Sequence, residues 1–317
     1  MILANMSRMI LKKKGPRRTL TLVAAFTMGT LGLAACAPAR TATGVIDVVG
    51  AEVQYGDVLS QIGGAYVHVT SIMTNPNTDP HNFGATPSVA RAISTARLIV
   101  QNGAGYDSFM NQLEAASASS SRVVISVASL RHQSTAANPH FWYDPTTMPL
   151  VASTVAQDLA KIAPAHASYF HARDAAFARE WRAVTAALAT ARGRFAGRQV
   201  ATTEPVGDYL LSAMGLTIAT PFRFQADVMN GIDPSPQDIV TQQRLLSGRV
   251  VAALCYNAQV SSPVTQSLVD LAAASHVALV AIYETMPQGL HVQSWMLAEI
   301  TAVSDALAHG TSTRSIS

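Results

Sequence analysis

Apolar and polar positions along this chain follow two alternating rhythms. Short aliphatic runs are separated by longer segments in which apolar residues return every three or four positions. The first run, "VIDVVGA" (45–51), leads into the amphipathic "YGDVLSQI", then Gly63-Gly64, then the alternating "AYVHVTSI" (65–72). The runs read as strands and the segments between them as helices. Pro87-Ser88 opens a helix that continues to about Ala96, and "RLIVQNG" (97–103) and "RVVISVA" (122–128) are further strands. A helix from about Thr146 to Ile162 stops before Pro164. Strand, helix and strand in this order predict a parallel α/β sheet.

Beyond Pro164 the pattern lengthens. Phe170, Phe177, Trp181, Val184, Leu188 and Phe195 fall at intervals of seven, four, three, four and seven, which keeps them on one helical face. One helix over 165–196 would be about 48 Å long, more than a compact α/β unit requires. Gly197 is its expected stop. The first rhythm then restarts: "RQVATTE" (198–204), "LTIAT", "RVVAALCY" and "VALVAIYE" as strands, with "PVGDYLLSAM", "SPQDIVTQQRLL" capped by Ser235, "SSPVTQSLVDLAAAS" and 292–308 as helices. The expectation is an α/β protein of two lobes with parallel sheets, residues 45–164 and 198–311, joined by one long rigid helix at 165–197.

Composition agrees and adds a leader. At 317 residues the chain can hold two ordinary domains, each with its own core. An apolar fraction of 49% with 13% charged residues excludes a disordered protein. The net charge of +3 invites a nucleic-acid reading, but residues 1–35 hold Arg8, Lys12, Lys13, Lys14, Arg17 and Arg18 and no acidic residue. Without these six, 16 basic residues face 19 acidic ones, a net charge of −3. The remainder has no bulk attraction for nucleic acid.

The leader has a basic start, "KKKGPRR", and an uncharged stretch at 19–35 that is short for a membrane span of about 20 residues. It ends in "LAAC", which resembles the lipobox of bacterial lipoproteins. That resemblance implies a signal peptide over 1–35, lipidation of Cys36, a tether over 36–44, and anchorage to a cell membrane facing the periplasm or exterior. Cys255, in an apolar run, is then a buried thiol without a disulfide partner.

The candidate chemistry lies in two Pro-His loops, "NPNTDPHNFGATPS" (75–88) and "ANPHFWYDPTT" (137–147). His81 and His140 each follow a strand of the first lobe, while Glu204 and Glu284 are the last residues of the strands 198–204 and 277–284 in the second. Ligands in open α/β sheets collect beyond the carboxyl ends of strands, so the four residues can meet across one cleft. Two imidazoles and two carboxylates complete a ligand set for a divalent transition metal. The flanking prolines restrict φ and the preceding residue, so such a loop loses less entropy on presenting a ligand. Taken singly, each residue also has a plainer reading: a surface histidine, a helix cap before Pro205, a solvated glutamate. The other seven histidines are assigned no role.

The stretches "TDPHNFGATPSVARAISTARLIVQNGAGYDSFM" and "NPHFWYDPTTMPLVASTVAQDLAKIAP" resemble the two histidine-ligand regions of the solute-binding lipoproteins of zinc and manganese ABC importers. "DPSPQDI" and "ETMPQG" are similar to further landmarks, and the match runs in order from about 45 to 308. The resemblance implies that His81 and His140 are metal ligands, that Glu204 stands at a third ligand position held by His or Glu, and that Glu284 stands where a carboxylate, commonly Asp, is the fourth. It implies two lobes on one rigid helix and a membrane permease as partner. The chain departs from the family pattern in "NFGATP" after the first motif, in Asn138 where Asp often precedes Pro-His, in Glu at the third position, and in lacking a His-rich loop. Two histidines with two carboxylates tilt the preference toward manganese or iron, though zinc binds the same donors tightly.

The expected function is capture of one divalent ion (manganese, zinc or iron) by a monomeric, lipid-anchored receptor that hands it to a permease. Coordination occurs without turnover and weakens as the histidines protonate below about pH 6.5. A metallohydrolase using the same four residues is the first alternative, but no HExxH or comparable signature is present. A receptor for an organic metal chelate is the second, and an aromatic content of 6% counts against it.

Overall fold

Eight strands form two parallel sheets among the residues described by the computed structural model, which are 44–75, 83, 84 and 86–316. The leader, Cys36 and His81 lie outside them. The first sheet contains β1 (Ile46–Glu52), β2 (Val67–Met73), β3 (Leu98–Gln101) and β4 (Val123–Ser126), in the order β2-β1-β3-β4. The second contains β5 (Gln199–Thr202), β6 (Thr217–Ile218), β7 (Ala253–Asn257) and β8 (Ala278–Ile282), in the order β6-β5-β7-β8. Every pairing is parallel, as in the registers Val48↔Leu98 and Cys255↔Val280. The two lobes therefore share one topology, with the strand order reversing between β1 and β3 in one and between β5 and β7 in the other. Such switch points open a crevice beyond the carboxyl ends of the strands.

The helices are α1 (Val53–Gly63), α2 (Pro87–Thr95), α3 (Ser108–Ala116), the single turn α4 (Val127–Leu130), α5 (Thr147–Ile162) and α6 (Ala167–Phe195), followed by α7 (Asp208–Ala213), α8 (Phe222–Met229), α9 (Pro236–Ser247), α10 (Pro263–Ala274) and α11 (Val292–His309). Their starts are written locally. Thr86, Ser235 and Ser262 each accept a backbone N–H of the first turn and are followed by proline at the first helical position. Gly310, left-handed at φ 68°, ends α11.

The expected linking helix is α6, and all six residues of its predicted face are buried. Burying such side chains stabilises by about 1.5–3 kcal/mol each. The helix packs on α1 and α5 of the first lobe and on α11 of the second. Alternation along the strands sends neighbours to opposite faces. Val48, Leu98, Val200, Ala253 and Val280 face one core cluster, while Val49 and Ile99 face a second and Ala201, Leu254 and Leu279 a third. The second and third clusters each lie within one lobe. The first cluster runs unbroken from Ile46 to Leu307, carried across the boundary by Phe141, Trp142, Tyr143, α6 and Trp295.

One correction concerns strand ends. β5 stops at Thr202 and β8 at Ile282, so Glu204 and Glu284 each lie two residues past a strand and not at its last position. β4 stops at Ser126, whose hydroxyl caps the turn α4 by accepting from the Ser129 amide at 3.3 Å. Hydrophobic runs continue past the ladders because the loops leaving them are buried too. Among the described residues no helix is long and apolar enough to cross a membrane.

Candidate metal centre

His140 sits in the loop between α4 and α5, 1% exposed, just before a single helical turn at Phe141–Tyr143. Its loop is held from the β3 end: the Asn102 side chain donates to the Pro139 carbonyl at 2.9 Å. The ring is flanked edge-on by Trp142 and Tyr106, with centroids at 5.3 and 5.9 Å. Nδ1 lies 2.7 Å from Asn138 Oδ1, and the His140 amide donates to the same oxygen at 3.1 Å. The other nitrogen, Nε2, faces Glu284 Oε1 of the opposite lobe at 3.4 Å.

Glu284 is held on both oxygens. Tyr106 O–H donates to Oε1 at 3.0 Å and Asn257 Nδ2 donates to Oε2 at 3.2 Å. Its own amide and that of Thr285 donate to Gln259 Oε1, each at 2.8 Å, which fixes the loop after β8. Burial pushes this carboxyl up, but His140 and the Tyr106 and Asn257 hydrogen bonds outweigh it and hold Glu284 below the ordinary glutamate value. The side chain is 14% exposed, so it is not the solvated glutamate of the plainer reading.

Glu204 has the opposite character. It is 6% exposed, and its Oε1 has no hydrogen-bond partner. Desolvation first, and the neighbouring Glu284 charge second, push its carboxyl up to about 8, with Asn257 countering in part. A divalent cation between the two carboxylates would remove both causes. The cap reading does not apply, because α7 begins at Asp208 with Gly207 at its cap.

The structure thus brings His140 and Glu284 together and sets Glu204 beside Glu284 through Asn257. Among the described residues, no three His, Cys, Asp or Glu side chains are arranged to hold a metal ion. Phe83, two residues after His81, packs on Phe109 of the first lobe at 4.4 Å. Tyr106, Asn257, Gln259, Asn102 and Asn138 were not singled out as site residues by sequence reasoning. The signal available for them was their place directly after strands or beside Pro-His, in "QNGAGYD", "CYNAQ" and "ANPH".

A family model described as "Zinc-uptake complex component A periplasmic" matches residues 48–306, most of the chain and nearly all of both lobes. The chain belongs to the ZnuA family. No curated protein matches it significantly. Among solved structures, the periplasmic zinc binding protein TroA from Treponema pallidum is similar at a TM-score of 0.70 and 20% identity, over 84% of this chain and all of that one. The solute-binding protein FpvC from Pseudomonas aeruginosa, solved in complex with Mn2+, has a TM-score of 0.69 and 21% identity, over 83% and 98% of the two chains. A crystal structure of ZnuA gives 0.68 and 21%, over 83% and 100%. The ZnuA-family fold of two α/β lobes on one long helix is the fold expected from the sequence.

Proposed function

We propose that this chain is the extracytoplasmic receptor of a metal ABC importer, which captures one divalent transition-metal ion in the interlobe crevice and passes it to a membrane permease. The observation that carries the reading is the approach of two metal-donor side chains from opposite lobes, the His140 imidazole and the Glu284 carboxylate, with Nε2 and Oε1 at 3.4 Å. A cation is the group that such a pair accommodates. In this reading Glu204 is the third ligand and His81 the fourth. Membership of a family described by periplasmic zinc uptake, and likeness to proteins solved as zinc-binding and with Mn2+, support the choice of cargo. The mixed donor set accommodates zinc, manganese or iron. Binding is coordination without turnover. Residues 1–35 direct export, Cys36 carries the lipid anchor, residues 36–44 form the tether, and the receptor works as a monomer.

The test is metal analysis of the purified protein with competition among manganese, zinc and iron. The expected result is a single bound ion per chain, lost in His81→Ala and in His140→Ala while circular dichroism stays native. Unchanged stoichiometry in both variants overturns the site. Hydrolysis of an ester or peptide that depends on Glu204 would favour a hydrolase instead.

A further inference from the structure

Asn138 makes contacts that none of the four proposed ligands explains. Its Oδ1 accepts twice from His140, from the amide at 3.1 Å and from the ring at 2.7 Å. Its Nδ2 donates to the Pro205 carbonyl of the other lobe at 2.8 Å, on the residue that follows Glu204. Its own carbonyl accepts from Tyr209 O–H of α7 at 2.9 Å. These partners fix the amide orientation by chemistry alone. The Pro205 carbonyl can only accept, so the atom facing it must be the NH2 group. The His140 amide can only donate, so the atom facing it must be the oxygen. Nδ1 of His140 then faces an acceptor and must carry a ring hydrogen, so that in the neutral imidazole the lone pair lies on Nε2, toward Glu284.

We infer that Asn138 is a positioning residue, one that fixes His140 in its Nδ1–H tautomer and ties that ligand loop across the lobe boundary to the backbone beside Glu204. The inference rests on the metal-receptor reading for its consequence, but the tautomer itself does not. An amide suits both tasks because one end accepts and the other donates. An aspartate could hold the imidazole but would set an oxygen against the Pro205 carbonyl. One side chain thus links a ligand of the first lobe to the loop bearing a ligand of the second, and a shift of either loop is felt by the other.

The experiment is long-range 1H–15N correlation of the histidine rings in the metal-free full chain, with His140 assigned by its loss in His140→Gln. The expected wild-type signal is Nδ1–H with unprotonated Nε2. Asn138→Ala should move His140 toward the Nε2–H form, and Asn138→Asp should restore Nδ1–H. Dissociation constants for Zn2+ and for Mn2+, each added alone, should rise about 10–100-fold in Asn138→Ala, the range typical of groups that orient metal-bound histidines. A wild-type ring with Nε2–H and a bare Nδ1 overturns the inference outright, whether or not the alanine variant folds. So does an alanine variant with Nδ1–H retained, or with affinities within about twofold of wild type despite a changed tautomer. Failure of the wild type to bind either ion would overturn the receptor reading, and the tautomer measurement would still decide what Asn138 does.

Discussion

The two lobes repeat one topology, and their switch points carry comparable residues with opposite outcomes. At the ends of β1 and β3 lie Glu52 (the last residue of β1), Asn102 and Asp107; at the ends of β5 and β7 lie Glu204 and Asn257 (the last residue of β7), with Glu284 after β8. Glu52 is 2% exposed, and no N–H or hydroxyl donor reaches either of its oxygens. Burial first, and the adjacent Asp107 second, drive its carboxyl far up, and burial raises Asp107 as well. Asp107 in turn accepts from the Asn102 and Gly103 amides at 2.6 and 2.8 Å, and Tyr55 O–H donates to Asn102 Oδ1 at 2.6 Å. This crevice is sealed by its own hydrogen bonds. In the second lobe Glu204, two residues past β5, is raised by burial and by the neighbouring Glu284, whose own carboxyl is held low by His140, Tyr106 and Asn257.

The largest expected effect tests that contrast directly. Glu204→Gln should weaken Zn2+ and Mn2+ binding by more than about 100-fold, beyond the range of residues that merely orient ligands. Glu52→Gln, which replaces a protonated acid with a neutral donor, should change affinity by less than about threefold. Titration calorimetry on both variants decides it, and equal losses would dissolve the distinction. Next in size, Asp107→Ala removes the acceptor of two buried amides and should destabilise the fold by about 1–3 kcal/mol for each amide left unpaired, read by urea unfolding.

A third test uses pH. Glu299 is buried against Tyr143 and Trp295, whose O–H and N–H reach its Oε1 at 3.0 and 3.1 Å, and desolvation pushes it from 4.5 up to about 8. Asp208, bonded by Gln225, is likewise raised, from 3.8 to about 7. A group that binds its proton more tightly folded than unfolded contributes stability that is complete below its ordinary value and lost as pH rises to its folded value. The melting temperature should therefore fall as pH rises from about 5 to about 8, and Glu299→Gln should flatten the fall. A wild-type curve rising across that window would contradict the burial argument.

The smallest effect concerns the seam between the lobes. Asp57 of α1 accepts from the Val292 amide at 2.9 Å and lies 2.6 Å from His291 Nδ1, capping α11 from the other lobe, while Gln61 and Gln293 pair their amides at 2.8 and 3.0 Å. Asp57→Ala should cost about 0.5–2 kcal/mol, the range of a lost helix cap, without changing metal stoichiometry. A loss of metal binding would mean that this seam governs the crevice.

The order of elements, the parallel sheets and the long helix were legible because burial imposes a period. Phe170 to Phe195 announced α6, and strands of uniform aliphatic character announced sheets covered on both faces. The Pro-His loops stood out because proline and histidine are rare together in regular structure. His81 and Cys36 fall outside the described residues, so their assignments rest on sequence and resemblance alone. The ends of β5 and β8 fall two residues earlier than the hydrophobic runs suggest because such runs report burial, and the chain leaving these ladders stays buried after β5 and half-buried after β8.

By itself, the sequence determined which segments pair into lobes and which residues carry donors suited to a cation, since both follow from local composition and period. Only the tertiary structure decided that Glu284 would be held below its ordinary value and Glu204 pushed above it, that Tyr106 would reach across to Glu284, and that Asn138 would hold His140 with one end and Pro205 with the other. The Asn138–Pro205 and Tyr106–Glu284 contacts join positions 67 and 178 residues apart, and the carboxyl shifts follow how much water each meeting excludes. Neither quantity has a period along the chain.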